Sequence, residues 1–239
     1  MKPSRPTAGI TLLEVVIAVS LLSLLIVGMS TALRLGLNAL SKTNTRLMAN
    51  RRVTGSQQAL QQQLEGFMPV IGLCGSAPGA PGGTKMPFFQ GEPESMRFVS
   101  SYSLQEGARG FPRILEFQVV PGEGGKGVRL VLNENLYTGP ASAGFFCLGG
   151  GPGAFVFRPI ELGPRSFVLA DRLAFCRFSY QSAPPTHVEW TPAWKLPRWP
   201  GAIRIEMAPV DEEISRLRPV SVTARIHVNR YPIFEYGDY

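Results

Sequence analysis

Glu14 is the residue whose surroundings in the sequence most need a chemical explanation. It lies within the apolar run GITLLEVVIAVSLLSLLIVG, residues 9–28, and no basic residue stands beside it. A charged side chain in a lipid-embedded helix costs on the order of 3 kcal/mol, and such a residue is a functional hypothesis by default. Glu14 is therefore a candidate functional residue.

The other titratable residues do not form the set of groups that an enzyme needs. The acidic run Asp211, Glu212 and Glu213 lacks the oxygen-ligand spacing of a calcium loop and is typical of a solvated turn between the last two strands. His187 and His227 each lie in an apparent strand, and nothing connects either one to a nucleophile. Neither G-x-S-x-G nor H-E-x-x-H occurs. We therefore expect no enzyme activity, no cofactor and no metal site.

The three cysteines do not have the spacing of a zinc site, because none belongs to a C-x-x-C pair. Cys176 shares one face of a predicted strand with Phe178 and Tyr180, which favours a buried free thiol. Cys74 and Cys147 lie in glycine-rich segments that we interpret as loops. If the domain lies outside the cytoplasm, these two are candidates for a disulfide bond, and the sequence leaves their pairing open.

Three tryptophans, Trp190, Trp194 and Trp199, cluster around prolines. Packing in the core or in a loop is the favoured interpretation, and a contact with a partner protein is the alternative.

The composition favours short strands joined by loops. The chain has 239 residues, of which 26 are glycine, 21 are proline and 44% are apolar. This apolar content supports a packed core, and the glycines and prolines favour turns over a helical bundle. The formal net charge is +7, but the basic residues are scattered, which argues against a nucleic-acid-binding surface.

The N-terminal segment has the length of a membrane span. Residues 1–9 are polar and carry Lys2 and Arg5, and residues 10–33 are apolar apart from Glu14 and a few small polar residues. About 20 residues cross a bilayer core, and basic flanks stay on the cytoplasmic side. A secretory signal peptide has a shorter apolar region that ends in an A-x-A-like site, and TALRLG offers none. We expect a single span with the rest of the chain across the membrane.

Downstream of the span, the pattern predicts an amphipathic helix and then a β-rich domain. In residues 34–68, leucines recur at helical spacing opposite basic residues and glutamines, and Met68-Pro69 should end the helix. Residues 69–239 contain a loop region at 72–94, a glycine cluster at 147–155 read as a loop, and alternating runs such as VRLVL and AIRIEM. Such alternation is typical of half-buried antiparallel strands. The fold class is α+β, a long helix packed on antiparallel sheet.

The run Gly9-Ile10-Thr11-Leu12-Leu13-Glu14 resembles the cleavage and methylation motif of type IV pilins and type II secretion pseudopilins, although that family usually has phenylalanine at the place of Ile10. The resemblance implies a leader, residues 1–9, which the prepilin peptidase removes after Gly9. It implies N-methylation of the new N-terminal residue, Ile10. It also implies that Glu14 is retained for subunit assembly, that the helix spans the membrane over residues 10–33, and that the fold is pilin-like.

The region after the tryptophan-containing turn is similar to the end of the J-type minor pseudopilin. Leu196-Pro197 is followed by the alternating residues Ala202, Ile203, Arg204 and Ile205, with three extra residues between the two parts. The resemblance implies a subunit at the pseudopilus tip of a type II secretion system, which helps to export folded proteins across the outer membrane. Its implied partners are the I-type and K-type minor pseudopilins and the major pseudopilin. Its implied location is the inner membrane, with the N-terminus cytoplasmic and the domain periplasmic.

Two other classes of function stay open at this point. A minor pilin of a type IV pilus, acting in adhesion, motility or DNA uptake, shares the same motifs. A membrane-anchored enzyme or binding module is the third class, and it predicts an uncleaved N-terminus and a dispensable Glu14.

Overall fold

The computed structural model describes residues 11–75, 83–151, 154–182, 189–210 and 219–227. It has a long N-terminal helix and a large antiparallel sheet, so the α+β class with an N-terminal helix is confirmed. The chain divides into two compact units, Met1–Ala49 and Asn50–Tyr239. The long helix passes from the first unit into the second.

Helix α1 runs over Leu12–Glu65. The helix ends before the Met68-Pro69 stop that the sequence predicts. Gly66 donates its N–H to the carbonyl of Gln62, and the chain then turns into a strand. A side chain at Gly66 would collide with Ser100 and Tyr102, so the close approach of sheet and helix end requires glycine there.

Thirteen strands lie in the part of the chain that the structure describes. They are β1 Phe67–Met68, β2 Ile71–Cys74, β3 Thr84–Pro87, β4 Gln90–Gly91, β5 Ser95–Ser103, β6 Ala108–Pro121, β7 Val128–Leu136, β8 Cys147–Gly151, β9 Ala154–Phe157, β10 Phe167–Gln181, β11 Trp190–Thr191, β12 Ala202–Pro209 and β13 Val220–Arg225. A short helix, α2, covers Pro140–Gly144. Of the alternating runs that the sequence predicts as strands, VRLVL lies in β7 and AIRIEM lies in β12.

Nine of these strands form one sheet with the order β1-β5-β6-β7-β10-β12-β13, in which β4 also pairs with β5 and β11 with β10. All of its pairs are antiparallel. Strand β10 bridges the two halves of the sheet, because its first part pairs with β7 and its second part with β12.

One face of the sheet carries the larger core, and the C-terminal part of α1 packs on it. Leu60 and Leu64 are buried there. The ring of Phe67 stacks on Phe98 with centroids 5.3 Å apart, and Phe98 stacks on Phe117 at 5.7 Å. Burying a leucine side chain contributes about 1.5–3 kcal/mol, so Leu60 and Leu64 hold the C-terminal end of α1 on the sheet.

A second layer, formed by β2, β3, α2, β8 and β9, covers the opposite face of β5 and β6. We call it the covering layer. Its core joins Met86, Phe88 and Ala143 to Val99 and Ile114 of the large sheet. The sequence prediction was wrong here, because residues 72–94 and the glycine cluster 147–155 contain strands rather than loops alone. Isolated two-stranded ribbons are marginal in water, so their order depends on packing against the large sheet.

A buried ion pair lies beneath the covering layer. Arg97 on β5 faces Glu116 on β6, with a shortest N–O distance of 2.6 Å, and both side chains are buried. Arg97 also donates to Oε1 of Gln90 at 2.6 Å and to the carbonyl of Arg158 at 3.0 Å. Burial lowers the pKa of Arg97 and Glu116 opposes that shift, and a guanidinium stays charged in proteins.

Removing one partner of this pair should destabilise the domain strongly. We expect Arg97→Met to lower the free energy of unfolding by about 3–5 kcal/mol, because it leaves the Glu116 carboxylate buried without a cation. Unfolding in guanidinium chloride, followed by tryptophan fluorescence, measures the change.

The matched control is Arg113→Met, which removes the ion pair of Arg113 with Glu106. That pair is more exposed, with 42% of the Glu106 side chain accessible, so the loss should stay below about 1 kcal/mol. Equal losses in the two variants would contradict the role assigned to the buried pair.

Candidate functional site

Glu14 lies in the first turn of α1, and Thr11 precedes that turn. The carbonyl of Thr11 accepts hydrogen bonds from the N–H groups of Glu14 at 3.1 Å and Val15 at 3.3 Å. The hydroxyl of Thr11 accepts the same Glu14 N–H at 3.4 Å. Thr11 and Glu14 therefore have the spacing of a capping box, in which glutamate or glutamine stands three residues after the cap.

Glu14 is the charged residue of positions 12–33 of α1, and the next charged residue along the helix is Arg34. Residues Leu12–Thr43 of α1 are long and apolar enough to cross a membrane, and their side chains are exposed. The hydroxyls of Ser20, Ser23 and Thr31 donate to carbonyls within the helix. The carboxylate of Glu14 has no hydrogen-bond or ion-pair partner among the described residues. In lipid, this group would need a cation from outside the described helix.

The cleavage and methylation residues predicted from the sequence, Gly9 and Ile10, lie outside the described residues. His187 and the acidic run 211–213 also lie outside them. His227 is described, and it lies exposed just after β13. Among the described residues, no three or more histidine, cysteine, aspartate or glutamate side chains come together as a metal site.

The structure joins Cys74 to Cys147 by a disulfide bond, with a Cα–Cα distance of 5.2 Å. Cys74 belongs to β2 and Cys147 to β8, so the bond connects two strands of the covering layer. Its partners lie 73 residues apart in the sequence, and closing a loop of that length stabilises a domain by about 4 kcal/mol in the chain-entropy model. The ring of Phe146, next to Cys147, lies over the guanidinium of Arg97 with its centroid 5.0 Å away, so the bond fixes this part of the covering layer near the ion pair.

The third cysteine and two of the tryptophans belong to the core. Cys176 is a buried free thiol, as predicted, and burial raises its pKa to about 12 with a smaller contribution from Glu94. Trp194 and Trp199 are buried, which confirms the packing interpretation for these two. Trp190 is half-buried, and the guanidinium of Arg204 lies 3.8 Å from its ring centroid.

Sequence reasoning missed the Arg97–Glu116 pair and the surface built around it. Oε2 of Glu116 accepts hydrogen bonds from the amides of Asn135 at 3.1 Å and Asn133 at 3.4 Å, both on β7. The sequence signal that could have revealed this pair is the presence of charged or amide side chains, such as Arg97, Glu116 and Asn133, within otherwise apolar predicted strands. That signal marks polar groups on one face, but it does not reveal that another layer buries them.

Comparisons with known proteins do not add a family. No protein-family model matches the chain, and no curated protein matches its sequence significantly.

The thiols of the protein provide a test of the cysteine arrangement. Cells are alkylated before lysis so that accessible thiols cannot form new disulfide bonds during extraction. When the protein is then denatured without reductant, we expect one thiol per chain to react, that of Cys176. After reduction we expect three. In the folded protein at pH 8 none should react, because a thiol with a pKa near 12 is almost entirely protonated and this one is buried. Mass spectrometry counts the modified cysteines. Three reactive thiols without reductant, or fast labelling of folded Cys176, would contradict the arrangement.

Proposed function

We propose that this chain is a prepilin-type subunit, a minor pseudopilin of a type II secretion system, most similar to the J type. In this proposal the prepilin peptidase cuts between Gly9 and Ile10, and the new amine of Ile10 is methylated. The observation that carries the proposal is Glu14, an acidic group in the first turn of a helix of membrane-spanning length.

The physical argument concerns two charges that are each costly in lipid. Cleavage before Ile10 creates a cationic amine near the membrane, and Glu14 supplies an anion close to it in sequence. When the amine of one subunit meets the carboxylate of its neighbour, pairing offsets both desolvation costs. The pairing drives entry of each subunit into the filament and sets its axial register.

The remaining features support the same proposal. A helix continues from the apolar segment into a domain where its C-terminal part packs on antiparallel sheet. Strand β12 follows the Leu196-Pro197 step that carries the J-type resemblance. A disulfide bond suits a domain in an oxidising compartment such as the periplasm.

The proposed partners follow from this assignment. They are the prepilin peptidase, the major pseudopilin, and the I-type and K-type minor pseudopilins at the tip. The proposed location is the inner membrane, with Lys2 and Arg5 on the cytoplasmic side before cleavage and the β-rich domain in the periplasm. The subunit has an assembly role in the export of folded proteins across the outer membrane.

The capping-box spacing of Thr11 and Glu14 makes it necessary to separate the assembly role of Glu14 from a helix-capping role. Glutamine replaces glutamate in a capping box but carries no charge. We therefore expect Glu14→Gln and Glu14→Ala both to be cleaved normally and both to be incorporated into filaments at least tenfold less than the wild type. Co-expressing each variant with a tagged wild-type chain and quantifying both in sheared filaments measures incorporation.

The control is Glu65→Ala, which removes an exposed carboxylate at the other end of the same helix and should leave incorporation unchanged. Normal incorporation of Glu14→Gln with a loss only in Glu14→Ala would assign Glu14 to capping. Equal incorporation of all variants would refute the assembly role.

A further inference from the structure

A groove in the described part of the domain lies between β7 and the covering layer. Its volume is about 560 Å³. Asn133 and Asn135 of β7 line its floor, Phe145 and Leu148 line one wall, and the segment 158–166 lines the other. No sequence motif marks this groove, and the assembly role proposed above does not use it.

The floor and one wall of the groove are fixed by the buried ion pair. Glu116 holds the amides of Asn133 and Asn135, and Asn133 donates further to the carbonyl of Glu161 at 2.9 Å. Arg97 donates a hydrogen bond to the backbone carbonyl of Arg158. The backbone N–H of Arg158 in turn donates to the carbonyl of Phe146 at 2.8 Å. The groove is therefore preformed, and a ligand loses little free energy in ordering it.

The rim combines exposed apolar side chains with arginines. Phe145 is 55% exposed and Leu148 is 56% exposed. The guanidinium of Arg158 lies over the ring of Phe145, 4.4 Å from its centroid, at the distance of a cation–π contact. Neither Arg158 nor Arg165 has an ion-pair partner within the described ranges. Arginine and aromatic side chains are the residues most enriched at the centres of protein interfaces.

The charges of the groove favour an acidic ligand over a basic one. The Glu116 carboxylate is neutralised by Arg97. Glu134 pairs across the strands with Leu115 of the larger core, so its side chain lies on the opposite face of the sheet from the groove. There its carboxylate accepts hydrogen bonds from Leu104 at 2.6 Å and Ser103 at 2.8 Å. Glu161 is the remaining acidic side chain of the rim, and it is exposed. Two arginines therefore face one carboxylate, on a chain whose net charge is +7.

We propose that this groove binds an extended acidic segment of a partner protein. A carboxylate of that segment accepts hydrogen bonds from Arg158 and Arg165, and a neighbouring apolar side chain packs on Phe145 and Leu148. Guanidinium groups bind carboxylates through two parallel hydrogen bonds, which gives such a site both affinity and orientation. The proposal goes beyond the assembly role of Glu14 and does not depend on it.

Fluorescence anisotropy with two labelled peptides tests the proposal. The probes are GDEFDLEDG and its basic counterpart GKKFKLKKG, titrated with the full chain in nanodiscs of uncharged phosphatidylcholine, and empty nanodiscs correct for binding to lipid. We expect saturable binding of the acidic peptide only, weakened at least tenfold in Arg158→Glu. Higher salt should weaken it as well.

Arg177→Glu is the matched control, because Arg177 is also exposed and also lies over an aromatic ring, with 5.5 Å to the centroid of Phe175. This variant should bind as the wild type does. Absence of saturable binding, equal binding of the basic peptide, or equal weakening by both variants would overturn the proposal.

A second pair of variants removes the dependence on one charge reversal. Phe145→Ser should weaken binding of the acidic peptide, and Phe111→Ser should not, because Phe111 is a still more exposed phenylalanine (75% against 55%) that lies outside the groove. Circular dichroism checks that each variant is folded. If Arg158→Glu does not fold, the two phenylalanine variants decide the outcome by the same criterion.

Discussion

A carboxylate within a helix of membrane-spanning length is stable in lipid when a cation reaches it, and this constraint applies to the N-terminal part of α1. Glu14 lies in the first turn of α1, at the start of the apolar segment, and Thr11 caps the helix backbone there. The hydroxyls of Ser20, Ser23 and Thr31 form hydrogen bonds with carbonyls of the same helix, but the carboxylate of Glu14 has no such partner among the described residues. In the proposed function, a cation supplied by a neighbouring subunit offsets this cost and thereby favours assembly.

In the β-rich domain, a second buried charge organises the structure. The Arg97–Glu116 pair lies between the large sheet and the covering layer, where it orders the floor of the groove on one side and the carbonyl of Arg158 on the other. The Cys74–Cys147 disulfide fastens the covering layer above this pair. The result is a rigid groove with an arginine held on an exposed aromatic ring, although each part of the layer is too small to be stable alone.

The sequence predicted the features that depend on local periodicity. Alternation predicted strands at the positions of β7 and β12, and the helical spacing of leucines predicted the amphipathic part of α1 and its packing on the sheet. The strand that begins at Cys147 was missed because a glycine-rich run has no alternating side chains. It is extended because it pairs with β9 and because the ribbon packs on the large sheet. The end of α1 was placed too late, because Gly66 turns the chain through a close contact with Ser100 that only the folded sheet provides. The pairing of Arg97 with Glu116 depends on register, which residue types alone do not determine.

The N-terminus of the mature protein tests the central claim most directly. Intact mass and N-terminal peptide sequencing of the membrane-extracted chain, from cells with and without prepilin peptidase, identify the first residue and its modification. The account predicts a chain that begins with N-methylated Ile10 and that retains residues 1–9 when the peptidase is absent. A chain that begins at Met1 in both strains, or one cut near Ala32, would contradict the assignment of Glu14 to subunit assembly.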